Sequence, residues 1–140
     1  MVDKPRYIDI NVFVYWLGNH PEFGETAYEW IKKIENSPRG EYVTSSLTLY
    51  EILIIIAGLT GKNLRDKKFV EEVVNSITCI KGLTIEPLKQ EDFHKALDLM
   101  KEYTLDYEDS IHLAVATRTH AQEIVSNDKD FDRGPIKRKT

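Results

Sequence analysis

Short apolar runs alternate with helical segments along the chain, and this alternation restricts the possible folds more than any other feature. Strand-like runs, bounded by Gly, Pro or polar residues, occupy 7–9, 41–45, 78–85 and 123–126. Apolar side chains recur every three or four residues, as in amphipathic helices, over 22–37, 62–76, 90–103 and 106–121. Strands that alternate with helices predict an α/β domain with a central, mainly parallel sheet of four or five strands.

Composition limits the number of domains and the class of partner. The chain has 140 residues, so we expect a single domain over residues 1–140. A net charge of −4 argues against a surface coated with phosphate-neutralising lysines, and any contact with nucleic acid should therefore be local. The single cysteine, Cys79, excludes an internal disulfide and a multi-cysteine zinc site, and we expect it to be a small core residue.

Two further expectations concern location and packing. The sequence shows neither an apolar leader before the first strand nor a run of about 20 apolar residues, so we expect no membrane span, and the single cysteine suits a reducing, cytoplasmic location. Residues 48–59 are apolar on nearly every face, and we expect this helix to be central rather than superficial.

Four acidic residues occupy strand ends or helix starts. Asp9 and Asp128 each follow a predicted parallel strand, and such strands place their carboxyl ends at one edge of a sheet, where ligands bind. Glu51 and Asp109 each fall within the first turn of a predicted helix. Carboxylates that converge on one cleft repel each other unless a cation lies between them, and carboxylate-only ligands favour Mg²⁺ or Mn²⁺ over zinc. Such sites commonly activate a water for attack on a phosphate.

Each acid also has a purely structural interpretation. Thr48 and Glu51 have the spacing of a capping box, and Asp106 with Asp109 could be an N-cap followed by a first-turn acid. Asp128 could close a turn. Capping and metal binding do not exclude each other, so both interpretations remain open at this point.

Four motifs carry a resemblance to a known family: YIDINVFV at 7–14, SSLTLYE at 45–51, DYEDSIHLAVA at 106–116 and IVSNDKDF at 124–131. With these motifs the chain resembles the PIN-domain ribonucleases, and it is most similar to the VapC-type toxins of prokaryotic toxin–antitoxin pairs. The resemblance implies a three-layer α/β/α sandwich and an endoribonuclease that depends on Mg²⁺ or Mn²⁺. It also implies an RNA substrate, a homodimer and an antitoxin that blocks the cleft.

The resemblance assigns site residues position by position. Its acidic quartet corresponds to the four acids described above, and its accessory polar positions correspond to Asn11 and Ser126. We expect Asp9, Asp109 and Asp128 to hold the principal ion, and Glu51 to hold a second ion or orient the attacking water. Two acids, Asp106 and Asp130, are reserve candidates. Ile10 occupies a position where the family commonly has a small hydroxyl residue, although the adjacent Asn11, the expected N-cap of the first helix, keeps a polar group near Asp9.

Two other functions remain open. One is a catalytically silent module that binds RNA or a protein; the other is a phosphatase with an aspartyl nucleophile, whose second Asp is replaced here by Asn11. We interpret His112, one turn after Asp109, as a hydrogen-bonded helix residue rather than a catalytic one. The basic residues of 62–68 and 133–139 could contact RNA phosphates, although solvated surface charge explains each of them singly.

Overall fold

The computed structural model describes residues 4–140 and contains a five-stranded parallel sheet in the order β3-β2-β1-β4-β5. The strands are β1 (Arg6–Ile8), β2 (Tyr42–Ser45), β3 (Leu83–Glu86), β4 (Glu123–Val125) and β5 (Lys137–Lys139). The central strand β1 and its neighbour β4 pair over their full length, with Ile8 opposite Val125. Their carboxyl ends therefore emerge side by side in the middle of one sheet edge.

Six α-helices cover the two faces of the sheet: α1 (Ile10–Leu17), α2 (Gly24–Glu35), α3 (Ser46–Thr60), α4 (Lys67–Thr78), α5 (Gln90–Tyr103) and α6 (Tyr107–Arg118). Side chains alternate across each strand, so Ile8 packs with the core formed by α1 to α4, while Tyr7 packs with the core of α5 and α6. The predicted α/β/α sandwich is confirmed. Within residues 4–140, none of the helices combines the length and apolar character needed to cross a bilayer.

The helix at the centre of the domain is α6 rather than α3. Every residue from Ser110 to Ala116 is buried, and the small Ala114 and Ala116 allow α6 to lie close to the sheet and to α5. In contrast, α3 exposes 62% of Tyr50 and 66% of Leu59. The expectation of a central helix over 48–59 is therefore wrong, because apolar side chains on every face permit burial but do not supply neighbours that cover each face.

Two boundaries between α3 and β3 differ from the sequence expectation. The chain leaves α3 through Gly61, whose φ of +71° suits a residue without a Cβ, and α4 begins only at Lys67, where Asp66 caps it by accepting a hydrogen bond from the Phe69 amide. Because α4 continues to Thr78, the third strand starts at Leu83 rather than at 78. Cys79 follows the end of α4 and is exposed, so its predicted place in the core is wrong.

Candidate active site

Asp9 lies at the junction of β1 and α1, at the central point of the sheet edge. Its backbone amide donates to Val125 O at 3.0 Å, which joins it to the end of β4. Asp9 itself is the N-cap of α1, although its side chain accepts no capping hydrogen bond. The expectation that Asn11 caps this helix is wrong, because Asn11 already lies within its first turn. Because the Asp9 side chain does not cap the helix, its carboxylate can interact with other groups.

Ser126 connects Asp9 to the loop that carries Asp128. Its hydroxyl donates to Asp9 Oδ2 at 2.7 Å and accepts from the Asp128 amide at 3.0 Å. The side-chain Nδ2 of Asn11 donates to the same hydroxyl at 3.2 Å, and Asn11 Oδ1 accepts from the backbone amide of Asn127 at 3.4 Å. These two accessory residues thus fix the relative positions of the β1 and β4 ends.

Three carboxylates form an acidic cluster at this edge: Asp109, Asp128 and Asp130 each offer an oxygen within 4.8 Å of the others. Burial and the charges of Asp106, Asp128 and Asp9 raise the pKa of Asp109 to about 7. Asp128 also accepts a hydrogen bond from the Asp130 amide and caps the short 3₁₀ helix Lys129–Arg133. Asp128 therefore closes a turn and belongs to the acidic cluster at the same time. The same turn places the Asp130 carboxylate in the cluster.

Asp9 is the most buried of the predicted acids, at 3% exposure, and this burial raises its pKa despite the opposing effects of His112 and Ser126. Among the residues that the structure describes, its Oδ1 atom has no hydrogen-bond partner. Its charge contributes to the raised pKa of Asp109, so the two carboxylates share one electrostatic environment. Asp9 is not one of the three acids of the cluster, so a divalent cation would have to lie between Asp9 and the cluster to satisfy the free oxygen and offset the repulsion.

Glu51 reaches the same edge from α3, but it is tied to a different partner. Its Oε1 accepts from His112 Nε2 at 2.8 Å, and its Oε2 has no hydrogen-bond partner within residues 4–140. Its charge helps to raise the pKa of Asp9, whereas it lies outside the cluster formed around Asp109. The capping-box interpretation is wrong, because α3 starts at Ser46 and the Thr48 hydroxyl is hydrogen-bonded to that of Thr44 at 2.7 Å.

Asp106 has a structural role at the start of α6. It is the N-cap of this helix, and its Oδ1 accepts from the Asp109 amide at 2.8 Å. This hydrogen bond fixes the first turn of α6 and thereby the position of Asp109. The cap interpretation of Asp106 is confirmed, and its charge contributes to the raised pKa of Asp109.

Two residues beside the predicted acids, Tyr7 and Glu108, are not identified as site residues by the sequence. Tyr7 is hydrogen-bonded to His112 Nδ1 at 2.6 Å, and the description of His112 as a packed, hydrogen-bonded residue is confirmed. The nearby Glu51 carboxylate, together with burial, raises the pKa of Glu108 to about 8. The sequence gives one signal for Glu108, which directly precedes Asp109, but none for the contact between His112 and Glu51.

The donors at this edge fit a hard divalent cation. They are carboxylate oxygens without cysteine, two of them buried without a hydrogen bond among the described residues, and they come from separate elements of the fold. A set of mutually repelling acids raises the pKa values of its members, as seen for Asp109, until positive charge is supplied.

Comparison with known proteins identifies the family. The sequence model of the PIN domain matches residues 6–137. The chain belongs to the PIN-domain family. A search of curated proteins finds no match for this PIN domain.

Solved structures share the fold of this PIN domain. The Mycobacterium tuberculosis toxin VapC20, described as cleaving the sarcin–ricin loop, aligns with a TM-score of 0.74 and 13% identity over 94% of this chain and 95% of its own. A toxin–antitoxin complex from Klebsiella pneumoniae aligns with a TM-score of 0.65 and 20% identity over 96% of each chain. VapBC2 of Rickettsia felis, bound to promoter DNA, aligns with a TM-score of 0.67 and 16% identity, also over 96% of each chain. At these identities the likeness establishes a VapC-like fold for this PIN domain.

Proposed function

We propose that this PIN domain is a metal-dependent endoribonuclease that hydrolyses RNA phosphodiester bonds as the toxin of a toxin–antitoxin pair. The observation that carries the proposal is the convergence of carboxylates from separate elements on one sheet edge. Asp9 Oδ1 and Glu51 Oε2 are buried there without a hydrogen bond from any described residue. Burying a polar group in this way destabilises a fold, so a bound cation gives these oxygens a partner that the protein alone does not supply.

Each acid has a proposed role. Asp9, Asp109 and Asp128 would hold the principal Mg²⁺ or Mn²⁺ ion, and Asp130 is a further candidate because its carboxylate lies in the acidic cluster. Glu51 would hold a second ion or orient the attacking water through its free Oε2. When bound, the metal supplies the positive charge that lowers the pKa of a water and stabilises charge on the phosphate.

RNA, an antitoxin and a second copy of the chain are the proposed partners, in the cytoplasm. The toxin–antitoxin complexes among the similar structures support an antitoxin. The exposed Tyr50 and Leu59 on α3 support an apolar contact with a second copy. Lys137 and Lys139 lie on the edge strand β5, next to β4, and could contact RNA phosphates.

The alternative function is a catalytically silent module that binds RNA or protein. A binding surface for RNA phosphates has no use for a set of clustered, mutually repelling carboxylates. Burial is the largest cause of the raised pKa values of Asp9 and Asp109, and repulsion from neighbouring acids adds to it. The acids therefore favour the enzyme.

Cleavage assays separate the two functions. The protein is incubated with structured RNA in EDTA, Mg²⁺ or Mn²⁺, and we expect new 5′ and 3′ ends only when a cation is present. Asp9→Asn should lower the rate by roughly 100-fold or more, because it removes a charge that the cation needs. The matched control is Asp98→Asn, an exposed acid on α5, which should retain full activity. Full cation-dependent cleavage by Asp9→Asn would refute the role of Asp9, and RNA binding without cleavage in every condition would favour the silent module.

A further inference from the structure

A buried series of hydrogen bonds connects β1, α6 and α3. Tyr7 from β1 is hydrogen-bonded to His112 Nδ1 at 2.6 Å, and His112 Nε2 lies 2.8 Å from Glu51 Oε1. His112 is only 1% exposed, and Tyr7 is fully buried. Both ring nitrogens of the histidine therefore have a partner, and neither partner is water.

The chemistry of the three groups fixes the direction of one hydrogen bond. An ionised carboxylate only accepts, so His112 Nε2 carries the proton and donates to Glu51 Oε1. Tyr7 holds the opposite side of the ring, and its own ring packs edge-on against the imidazole at 5.7 Å between centroids. A ring held at both nitrogens cannot turn about its χ2 angle without losing two buried hydrogen bonds.

This arrangement assigns different tasks to the two oxygens of Glu51. Oε1 is occupied by His112, while Oε2 is buried without a hydrogen bond from any residue of 4–140. Asp9 lies close enough to respond to the charges of both Glu51 and His112. The free oxygen therefore shares the electrostatic environment of Asp9, a proposed ligand of the principal ion, and lies outside the acidic cluster itself.

We propose that His112, held by Tyr7, is a positioning residue that fixes the Glu51 carboxylate so that Oε2 is presented to the metal and the attacking water. This inference rests on the proposed function. A histidine that only fills the core would stabilise the fold, but its removal would leave metal affinity unchanged. A positioning histidine affects both, because groups that orient a ligand typically contribute about 10–100-fold to metal affinity or activity.

Two amide substitutions separate these roles. His112→Gln keeps an N–H donor near the place of Nε2, whereas His112→Asn ends near Nδ1 and can reach Tyr7 but not Glu51. Both remove the ring and introduce a neutral amide, so they form a matched pair. We expect His112→Asn to weaken Mn²⁺ binding, measured by calorimetry, by about 10–100-fold and His112→Gln by less than about threefold.

Tyr7→Phe provides a milder test that keeps the shape of the core. It removes one hydrogen bond to the ring, and we expect Mn²⁺ affinity and kcat to fall by roughly threefold to tenfold, the effect of one such bond. KM for RNA should stay unchanged in all three variants, because none of these side chains contacts the substrate in the proposed arrangement. Equal Mn²⁺ affinities for Tyr7→Phe, His112→Asn and the wild type would overturn the positioning role.

NMR of the histidine side chains in EDTA tests the contact without metal or RNA. We expect a slowly exchanging His112 Nε2–H proton that is lost in Glu51→Ala and retained in Asp109→Asn. Absence of this proton from the wild type, or its survival in Glu51→Ala, would overturn the inference. A wild-type protein that shows this proton but binds no Mn²⁺ would instead refute the proposed function, so the two failures are distinguishable.

Discussion

Replacing Asp109 with asparagine should stabilise the metal-free protein and weaken its binding of Mn²⁺. Burial and the neighbouring charges of Asp106, Asp128 and Asp9 raise the pKa of Asp109 from 3.8 to about 7. Ionised Asp109 therefore destabilises the folded protein relative to the unfolded chain, in which this repulsion is absent. Asparagine has nearly the same shape without the charge, so it removes the repulsion and also removes a proposed ligand.

The magnitude follows from the pKa of Asp109. A rise from 3.8 to about 7 corresponds to about 4 kcal/mol for the ionisation of Asp109 in the fold, at about 1.4 kcal/mol per pH unit. Because Asp109 is only half-buried, solvent screening reduces this value, and we expect a gain of about 1–2 kcal/mol for Asp109→Asn. A raised carboxyl pKa destabilises only where the unfolded chain is ionised. The gain should therefore be absent below about pH 4, grow through the interval up to pH 7 and remain constant above it.

Urea unfolding with and without Mn²⁺ measures both effects. In EDTA at pH 8, Asp109→Asn should be more stable than the wild type, and at pH 4 the two should coincide. In saturating Mn²⁺ the order should reverse, because the wild type gains about 2.7 kcal/mol at a metal concentration 100 times its Kd, while the variant gains little. Asp98→Asn is the control and should follow the wild type throughout. A variant that is less stable than the wild type in EDTA at pH 8 would refute the repulsion argument.

Two further predictions concern stability and RNA binding. Arg118→Met should destabilise the fold by about 2–4 kcal/mol in urea unfolding at pH 7, because it leaves the Asp92 carboxylate, which accepts from Arg118 at 2.8 and 2.9 Å, buried without its partner. Burial alone would raise the pKa of Asp92, but its hydrogen bonds with Arg118 outweigh burial and lower this pKa below 3.8. The ion pair therefore stabilises the fold above pH 3.8, and the stability difference between Arg118→Met and the wild type should shrink as the pH falls toward 2. A stability difference that stays the same at low pH would contradict this explanation. Replacing Lys137 and Lys139 with Gln should weaken RNA binding in EDTA for all sequences and reduce the slope of log K against log salt by about 1–2, whereas Lys95→Gln on α5 should change neither. Identical salt slopes for the double variant and the wild type would exclude these two lysines as phosphate contacts.

The sequence predicts the fold well because its strongest signals are local. Strand-like and helical segments alternate in the predicted order, and Asp9 occupies the predicted end of β1. The prediction fails where burial depends on neighbours that are distant in sequence. The pattern of α3 is apolar on all sides, yet Leu59 is exposed, while α6 is buried although polar groups such as Ser110 and His112 interrupt its apolar pattern.

The candidate site was predictable only in part, for the same reason. Strand ends and helix starts mark Asp9, Asp109 and Asp128 without any knowledge of packing. The contact of His112 with Glu51 joins residues 61 positions apart and exists only because α6 and α3 approach each other in the fold. No local pattern reports that approach.

Two buried aspartates show why the sheet edge differs from an ordinary ion pair. Asp9 is 3% exposed and Asp92 is 2% exposed, so folding removes nearly the same contact with water from both. Asp92 is fully compensated: its oxygens accept from Arg118 and from the Lys89 amide, and its pKa is lowered. Asp9 has a raised pKa and a buried oxygen that no described residue satisfies. The chain can neutralise a buried carboxylate when structure alone requires it, as at Asp92, whereas the compensation missing at Asp9 Oδ1 is what the proposed cation would supply.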